Sequence, residues 1–170
     1  EGKKKRKAAQ IMVQAAIAIE IMMFAPIRIQ NLSTIRLDEH MGWQADRLRL
    51  SFPAHEVKND QALDFLLPAE ASERIKRYIK EWRSLFIPAT NPYLFPGRNG
   101  KPKDQSALRN QMKKAIFDHT GLQMTPHQFR HAAAKLLLDA RPGHYEVVRK
   151  LLGHKSLTTT YAHYAGAETD

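Results

Sequence analysis

Apolar residues are densest at the start of the chain. Residues 8–24 are mostly apolar, and this density predicts a helix that is buried in the core. Pro26 interrupts the stretch, and residues 26–32 predict a second, short helix with proline in its first turn. The chain therefore begins with a core helix and a short helix behind it.

A β-type pattern follows. Residues 47–52 alternate charged and apolar side chains, as a half-exposed strand does. Two further short strands are predicted on either side of it, at residues 33–37 and 61–68. Residues 38–46 between them are predicted to form a turn. Together these segments predict a small antiparallel sheet at the edge of a helical domain.

The remaining sequence is predominantly helical. A loop rich in proline and glycine covers residues 87–104. Gly121 is placed to close one helix, and Thr125 with Pro126 is placed to cap and open the next. The four predicted helices span residues 69–86, 105–121, 125–140 and 143–154. The predicted fold class is mainly α with a small antiparallel β-meander (α+β), in a single domain over residues 1–170.

Composition adds a preferred kind of partner. The chain has 170 residues, enough for one well-cored domain, and its 27 Lys and Arg against 17 Asp and Glu give a net charge of +10. This excess attracts polyanions, of which nucleic acid is the commonest. Cysteine is absent, which excludes disulfides and thiolate metal sites. The apolar residues 11–27 are few for a membrane span and include Gln14 and Glu20, so we expect a buried helix there and no membrane span.

Residues 125–140 combine an apolar helix face with unusual polar residues on the other side. His127, Arg130 and His131 lie within about one turn of each other. A solvated polar face is the alternative interpretation. Zinc binding by the two histidines is disfavoured because Arg130 lies between them and no carboxylate cluster accompanies them. We expect neither a metal nor another cofactor.

Arg28 lies in an apolar neighbourhood that includes Phe24 and Leu32. Such an arginine either extends to solvent, pairs with a carboxylate, or binds an anion. A phosphate suits the last option because guanidinium is planar, permanently charged and bidentate. Taken alone, Lys58 in a turn, His154 near a helix end, and the two late tyrosines carry no functional signal.

The order of these residues is more informative than any of them singly. It resembles the catalytic domain of the tyrosine recombinases, or phage integrases. The matching elements are Arg28, Lys58, "HQFRH" with His127 and Arg130, "LLGH" with His154, and a late tyrosine. The resemblance runs from about residue 8 to the end and implies metal-independent cleavage and rejoining of DNA through a 3′-phosphotyrosine link.

The resemblance also implies a role for each residue. Arg28 and Arg130 would clamp the scissile phosphate, and His154 would donate a hydrogen bond to it. His127 is the candidate base for the tyrosine, and Lys58 is the candidate acid for the leaving 5′-oxygen. His131 would support the phosphate site from behind.

Two positions depart from the family pattern. The nucleophile commonly lies nine residues after the histidine, where this chain has His163. We favour Tyr164, ten residues after, over Tyr161, seven after. An acidic residue often follows the first arginine by three positions, and here it is Asn31, whose amide can still accept a hydrogen bond from Arg28.

The resemblance further implies double-stranded DNA as the partner, with a monomer in isolation and a tetramer on DNA, in the cytoplasm at the nucleoid. We expect residues 1–7 to be a basic linker from a preceding DNA-binding domain outside this chain. Two alternatives stay open: a topoisomerase-like DNA-relaxing enzyme, and a non-catalytic basic helical module whose active site has decayed.

Overall fold

The computed structural model describes residues 2–85, 90–140, 143, 145–152 and 156. Within them, six α-helices and three strands occur in this order: α1 (Gly2–Phe24), α2 (Ile29–Ser33), β1 (Met41–Gln44), β2 (Arg47–Phe52), β3 (Leu63–Leu66), α3 (Ala69–Arg77), α4 (Gln105–Thr120), α5 (Pro126–Ala140) and α6 (Tyr145–Leu152). Helix α3 continues as a π-helical turn over Tyr78–Trp82 and a 3-10 turn over Arg83–Leu85. The predicted fold class, mainly α with a small antiparallel sheet, is confirmed.

The three strands form an antiparallel meander in the order β1-β2-β3. In the central strand, Leu50 lies opposite Met41 on one side and Phe65 on the other. The apolar residues of β2 are buried and its arginines are exposed, which confirms the alternation read from the sequence. This face of the sheet closes one side of the core.

The prediction for the first strand was wrong. Residues 33–37 contain the end of α2 and a single bridge from Arg36 to Tyr93, whereas β1 lies in the segment predicted as a turn. A two-residue loop joins β1 to β2, and Ala45 in it has a φ of 53°. Glycine or asparagine is the usual residue at such a position, so the hairpin lacked its ordinary sequence signal.

Helix α1 is longer than predicted and runs through the core. It begins at Gly2, so the basic run near the start is helical from residue 2 onward. By length and composition alone, Lys4–Phe24 could cross a membrane, but the core helices of soluble proteins share these properties. Here Ala18 and Ile21 are fully buried against the other helices of the main core.

The ends of α4 and α5 follow local rules. Asp104 caps α4 by accepting from the Ala107 N–H, and Gly121 closes it with a φ of 71°. Thr125 Oγ1 accepts from the Gln128 N–H, as predicted for the cap of α5. Helices α5 and α6 share a second small core that includes Leu138 and Val148, and this packing brings the end of α6 beside Arg130.

Candidate active site

One cavity of about 710 Å³ gathers most of the chemistry-bearing residues. We call it the site cavity; it lies between the start of α2, the turn that precedes β3, and the helices α4 and α5. Five residues singled out from the sequence line it: Arg28, Lys58, His127, Arg130 and His131. Residues from the two ends of the chain therefore face one space.

Arg28 enters the site cavity from the position immediately before α2. Its backbone is extended, with φ −70° and ψ 151°, and the neighbouring Ile27 is fully buried. Its Nη1 donates to Asn59 Oδ1 at 3.4 Å, a long hydrogen bond, and no carboxylate pairs with it among the described residues. Burial lowers the pKa of the Arg28 guanidinium. The cation is therefore poorly compensated by the protein itself, as an anion-binding arginine should be.

Arg130 is held very differently. Only 6% of it is exposed, and its Nε donates to the carbonyl oxygen of Pro26 at 2.5 Å. Its Nη2 donates to the carbonyl oxygen of Leu152 at the end of α6. Both acceptors are neutral, so they fix the direction of the guanidinium without cancelling its charge. Arg130 is thus a rigid positive group on the wall of the site cavity.

Lys58 lies in the turn between β2 and β3. A 3-10 turn, Ala54–Glu56, precedes it, and Asp60 after it has a φ of 53°. The side chain of Lys58 is exposed, whereas its neighbours Val57 and Asn59 are buried. The turn therefore points one ammonium group toward the site cavity while its flanking residues anchor it.

His127 and His131 form a contact pair on α5. Their Nε2 atoms are 3.1 Å apart, and the rings meet edge to face with centroids 4.5 Å apart. At this distance an N–H of one imidazole donates a hydrogen bond to the nitrogen of the other, and the tautomers decide which ring is the donor. The surrounding Arg28, Lys58 and Arg130 make the site cavity strongly cationic, which opposes binding of a metal ion to the pair.

Away from the site cavity, one cluster among the described residues has ligand atoms close enough for a metal ion. Glu39, His40 and Glu56 bring one ligand atom each to within 4.8 Å of one another. Both ring nitrogens of His40 are already used, by the Arg36 N–H and by Glu56. This cluster is an internal hydrogen-bond network of the fold.

Asn31 was expected to accept a hydrogen bond from Arg28. It is 3% exposed, and its Nδ2 donates to the carbonyl oxygen of Glu56 at 3.0 Å. Asn59 is the acceptor for Arg28 instead. The amide therefore reaches the segment that leads to Lys58.

The sequence interpretation missed two lining residues on α4. Gln105 and Arg109 occupy i, i+4 positions in the first turns of this helix and line the site cavity. Arg109 is exposed, and in the described part of the chain it has neither a hydrogen bond nor an ion pair. Its position near a helix start, outside any motif, gave no sequence signal.

Three predicted site residues lie outside the described residues: His154, Tyr161 and Tyr164. Helix α6, which precedes them in the chain, ends at Leu152, and the carbonyl oxygen of Leu152 contacts Arg130. The roles of these three residues stay predictions.

The fold is a mainly helical domain with a small β-meander. Its cavity is lined by arginines, a lysine and histidines, which is the lining of an anion-binding site. The chain belongs to the phage integrase family, whose family model matches residues 4–169.

Curated relatives agree with this assignment. A tyrosine recombinase XerD from Lacticaseibacillus casei is 29% identical over 136 residues, covering 76% of this chain and 46% of that protein. A tyrosine recombinase XerD from Pseudomonas aeruginosa is 30% identical over 139 residues, covering 78% of this chain and 46% of that protein. The chain thus spans about half the length of these relatives.

Solved structures share the fold. The XerH site-specific recombinase bound to difH substrate in a pre-cleavage complex matches with a TM-score of 0.74 at 23% identity, over 91% of this chain and 44% of that one. A lambda integrase dimer bound to a COC′ core site matches with a TM-score of 0.60 at 15% identity, over 94% of this chain and 47% of that one.

Proposed function

We propose that this chain is the catalytic domain of a site-specific DNA recombinase. It would cleave and rejoin DNA through a covalent 3′-phosphotyrosine link. The observation that carries the proposal is that Arg28 and Arg130, far apart in the sequence, line one cavity together with Lys58 and His127. Membership of the phage integrase family, and relatives named tyrosine recombinases, support it.

The chemistry that the site cavity suits is phosphoryl transfer. Attack on a phosphodiester builds negative charge on the non-bridging oxygens, and fixed positive groups stabilise that charge in the transition state. Arg130 supplies a prearranged guanidinium, and Arg28 supplies a second one whose charge the protein leaves poorly compensated. Together they clamp the scissile phosphate, and His154 donates a further hydrogen bond to it.

In the proposed cleavage step, a phosphotyrosine bond forms as the bond to the 5′-oxygen breaks. The hydroxyl oxygen of Tyr164 bonds to phosphorus, and its proton passes to His127. The bond from phosphorus to the 5′-oxygen breaks, and Lys58 gives that oxygen a proton. A free phenol has a pKa of about 10, so the neighbouring guanidinium groups and the base are needed to activate it at neutral pH. A second DNA 5′-hydroxyl reverses the step and joins new partners.

The proposed partner is double-stranded DNA. The charge of +10 and the exposed cation of Arg109 in the site cavity support phosphate contacts beyond the scissile one. We further propose a monomer in isolation and a tetramer on DNA, acting at the nucleoid. A preceding DNA-binding domain, joined through residues 1–7, would supply most of the sequence preference.

The test is covalent capture on nicked duplexes whose sequence is randomised around the nick. After cleavage the short 5′-hydroxyl fragment diffuses away, which traps the adduct, and mass spectrometry of the DNA–peptide product identifies the linked tyrosine. We expect an adduct at Tyr164, no adduct with Tyr164→Phe, and unchanged DNA binding by that variant. An adduct at Tyr161 would reassign the nucleophile.

Other outcomes would support other functions. A gel shift without any adduct, over all sequences in the pool, supports a non-catalytic DNA-binding module. An adduct together with relaxation of supercoiled plasmid, but no joining of two different duplexes, supports a relaxing enzyme. Joining of two duplexes supports the recombinase.

A further inference from the structure

The turn that carries Lys58 is fixed from both sides. Before Lys58, the carbonyl oxygen of Glu56 accepts from Asn31 Nδ2 at 3.0 Å, and the Glu56 carboxylate meets His40 Nε2 at 2.8 Å. After Lys58, Asn59 Oδ1 accepts from Arg28 at 3.4 Å. The exposed lysine is therefore flanked by two residues whose polar groups are engaged.

His40 is the most deeply buried member of this network. It is 2% exposed, and its ring stacks on Phe52 of β2 with centroids 4.8 Å apart. Its Nδ1 accepts from the backbone N–H of Arg36 at 2.9 Å. Because Nδ1 acts as an acceptor, the ring proton of the neutral imidazole sits on Nε2 and points at Glu56. The backbone therefore selects the tautomer that holds Glu56.

We propose that His40 is a positioning residue for Lys58, acting through Glu56. The inference rests on the proposed function, in which Lys58 protonates the leaving 5′-oxygen. A lysine side chain has four flexible carbons, so the geometry of proton delivery depends on where the backbone starts it. The contacts from Phe52 to His40 and from His40 to Glu56 link the backbone that carries Lys58 to strand β2.

Asn31 is the second anchor of the same turn. It replaces the acidic residue often found three positions after the first arginine, and its amide donates to a carbonyl that a carboxylate would repel. Amide and imidazole thus hold the backbone and the side chain of one residue, Glu56. Arg28 and Lys58, which must meet the same phosphodiester, are thereby set on one connected framework.

Two matched substitutions separate the two hydrogen bonds of His40. In His40→Gln the amide nitrogen comes near the place of Nε2 and still donates to Glu56, whereas the acceptor for the Arg36 N–H is lost. In His40→Asn the amide oxygen comes near the place of Nδ1, but no donor reaches Glu56. Glu56→Ala, a change at a half-exposed residue, removes the acceptor of His40 Nε2 while the imidazole itself is kept.

The assay compares two nicked substrates in single-turnover adduct formation at saturating DNA. One has the natural 5′-oxygen at the scissile bond, and the other has sulfur there. A thiol has a pKa of about 8.5, so a thiolate leaves without a general acid. A residue that acts through Lys58 matters only for the oxygen substrate, whereas a merely structural residue affects both alike. Lys58→Ala is the reference for complete loss of the acid.

We expect His40→Asn and Glu56→Ala to slow the oxygen substrate by about 10- to 100-fold. On the sulfur substrate the loss should stay below about 3-fold. His40→Gln and the control Glu39→Ala, which removes the carboxylate that pairs with Arg36, should behave like the unmodified chain on both substrates.

Equal losses on the two substrates, or no loss on either, would overturn the positioning role. If the unmodified chain forms no adduct with either substrate, the proposed function itself fails, and this inference fails with it. Adduct formation by the unmodified chain therefore tells failure of the proposed function from failure of the positioning role.

Discussion

The two arginines of the site cavity should contribute very differently to stability, and the same substitution measures the difference. Replacing each with methionine keeps a long unbranched side chain and removes the charge. Arg130 donates to two carbonyl oxygens, of Pro26 and Leu152, and hydrogen bonds from a charged group contribute about 1.5–3 kcal/mol each. Removing a buried charge offsets part of that loss. We expect Arg130→Met to lower the free energy of unfolding by about 2–4 kcal/mol.

Arg28 contributes little to the stability of the protein in the absence of DNA. Its described hydrogen bond is 3.4 Å long, and burial lowers the pKa of its guanidinium, so the folded protein bears a desolvation cost that methionine removes. We expect Arg28→Met to change the free energy of unfolding by less than about 0.5 kcal/mol, or to raise it slightly. Both variants should lose adduct formation.

The measurement is urea unfolding followed by far-ultraviolet circular dichroism, at neutral pH and without DNA. For a slope of about 2 kcal/mol/M, the Arg130→Met midpoint should fall by roughly 1–2 M while that of Arg28→Met stays level. An equal fall in both variants would refute the reasoning, because Arg28 would then be a structural residue like Arg130. Equal slopes of unfolding free energy against urea in all three proteins would show that the change in midpoint does not come from the unfolded state.

Three further predictions follow from other parts of the fold. Arg109→Ala should lower the slope of log K against log salt for duplex binding by about one, whereas Arg77→Ala, which removes an exposed pair with Glu81, should leave it unchanged. Burial raises the pKa of Tyr78 to about 12, above about 10 in the unfolded chain, so its neutral hydroxyl stabilises the fold below pH 10 and that contribution is lost between pH 10 and 12. Urea unfolding of Tyr78→Phe should therefore show a weaker decline over this window, by up to about 2–3 kcal/mol, and a parallel decline in both proteins would contradict the assignment. Gly97→Ala would bring a Cβ to 2.3 Å from the Pro102 carbonyl oxygen and should lower the melting temperature by several degrees, whereas Gly42→Ala meets nothing within 4 Å and serves as the control.

The sequence predicted the elements whose signals are local. The apolar periodicity and the caps at Gly121 and Thr125 predicted α4 and α5 correctly, and alternation predicted β2. Strand β1 was missed because its turn uses Ala45 at a left-handed position. The end of helix α3 was predicted as a continuous helix, and the change to π and 3-10 turns over residues 78–85 had no counterpart in the pattern.

For the candidate site, too, only part could be predicted from the sequence. The resemblance to the recombinase family, carried by the order of the motifs, identified Arg28, Lys58, His127 and Arg130, and all four line one cavity. The groups that hold them could not be predicted, since the carbonyl oxygen of Leu152 is an acceptor that every residue type offers. Arg109 was missed because only the packing of α4 beside α5 turns it toward the cavity.

Two hydrogen bonds of Arg130 join segments that are far apart in the chain. Its Nε partner, Pro26, lies 104 residues earlier in the chain, and its Nη2 donates to the carbonyl oxygen of Leu152 at the end of α6. Both hydrogen bonds therefore form only after the chain on either side of α5 has folded against this helix. In the proposed recombinase, the guanidinium that would hold the scissile phosphate is thus fully oriented only in the assembled domain.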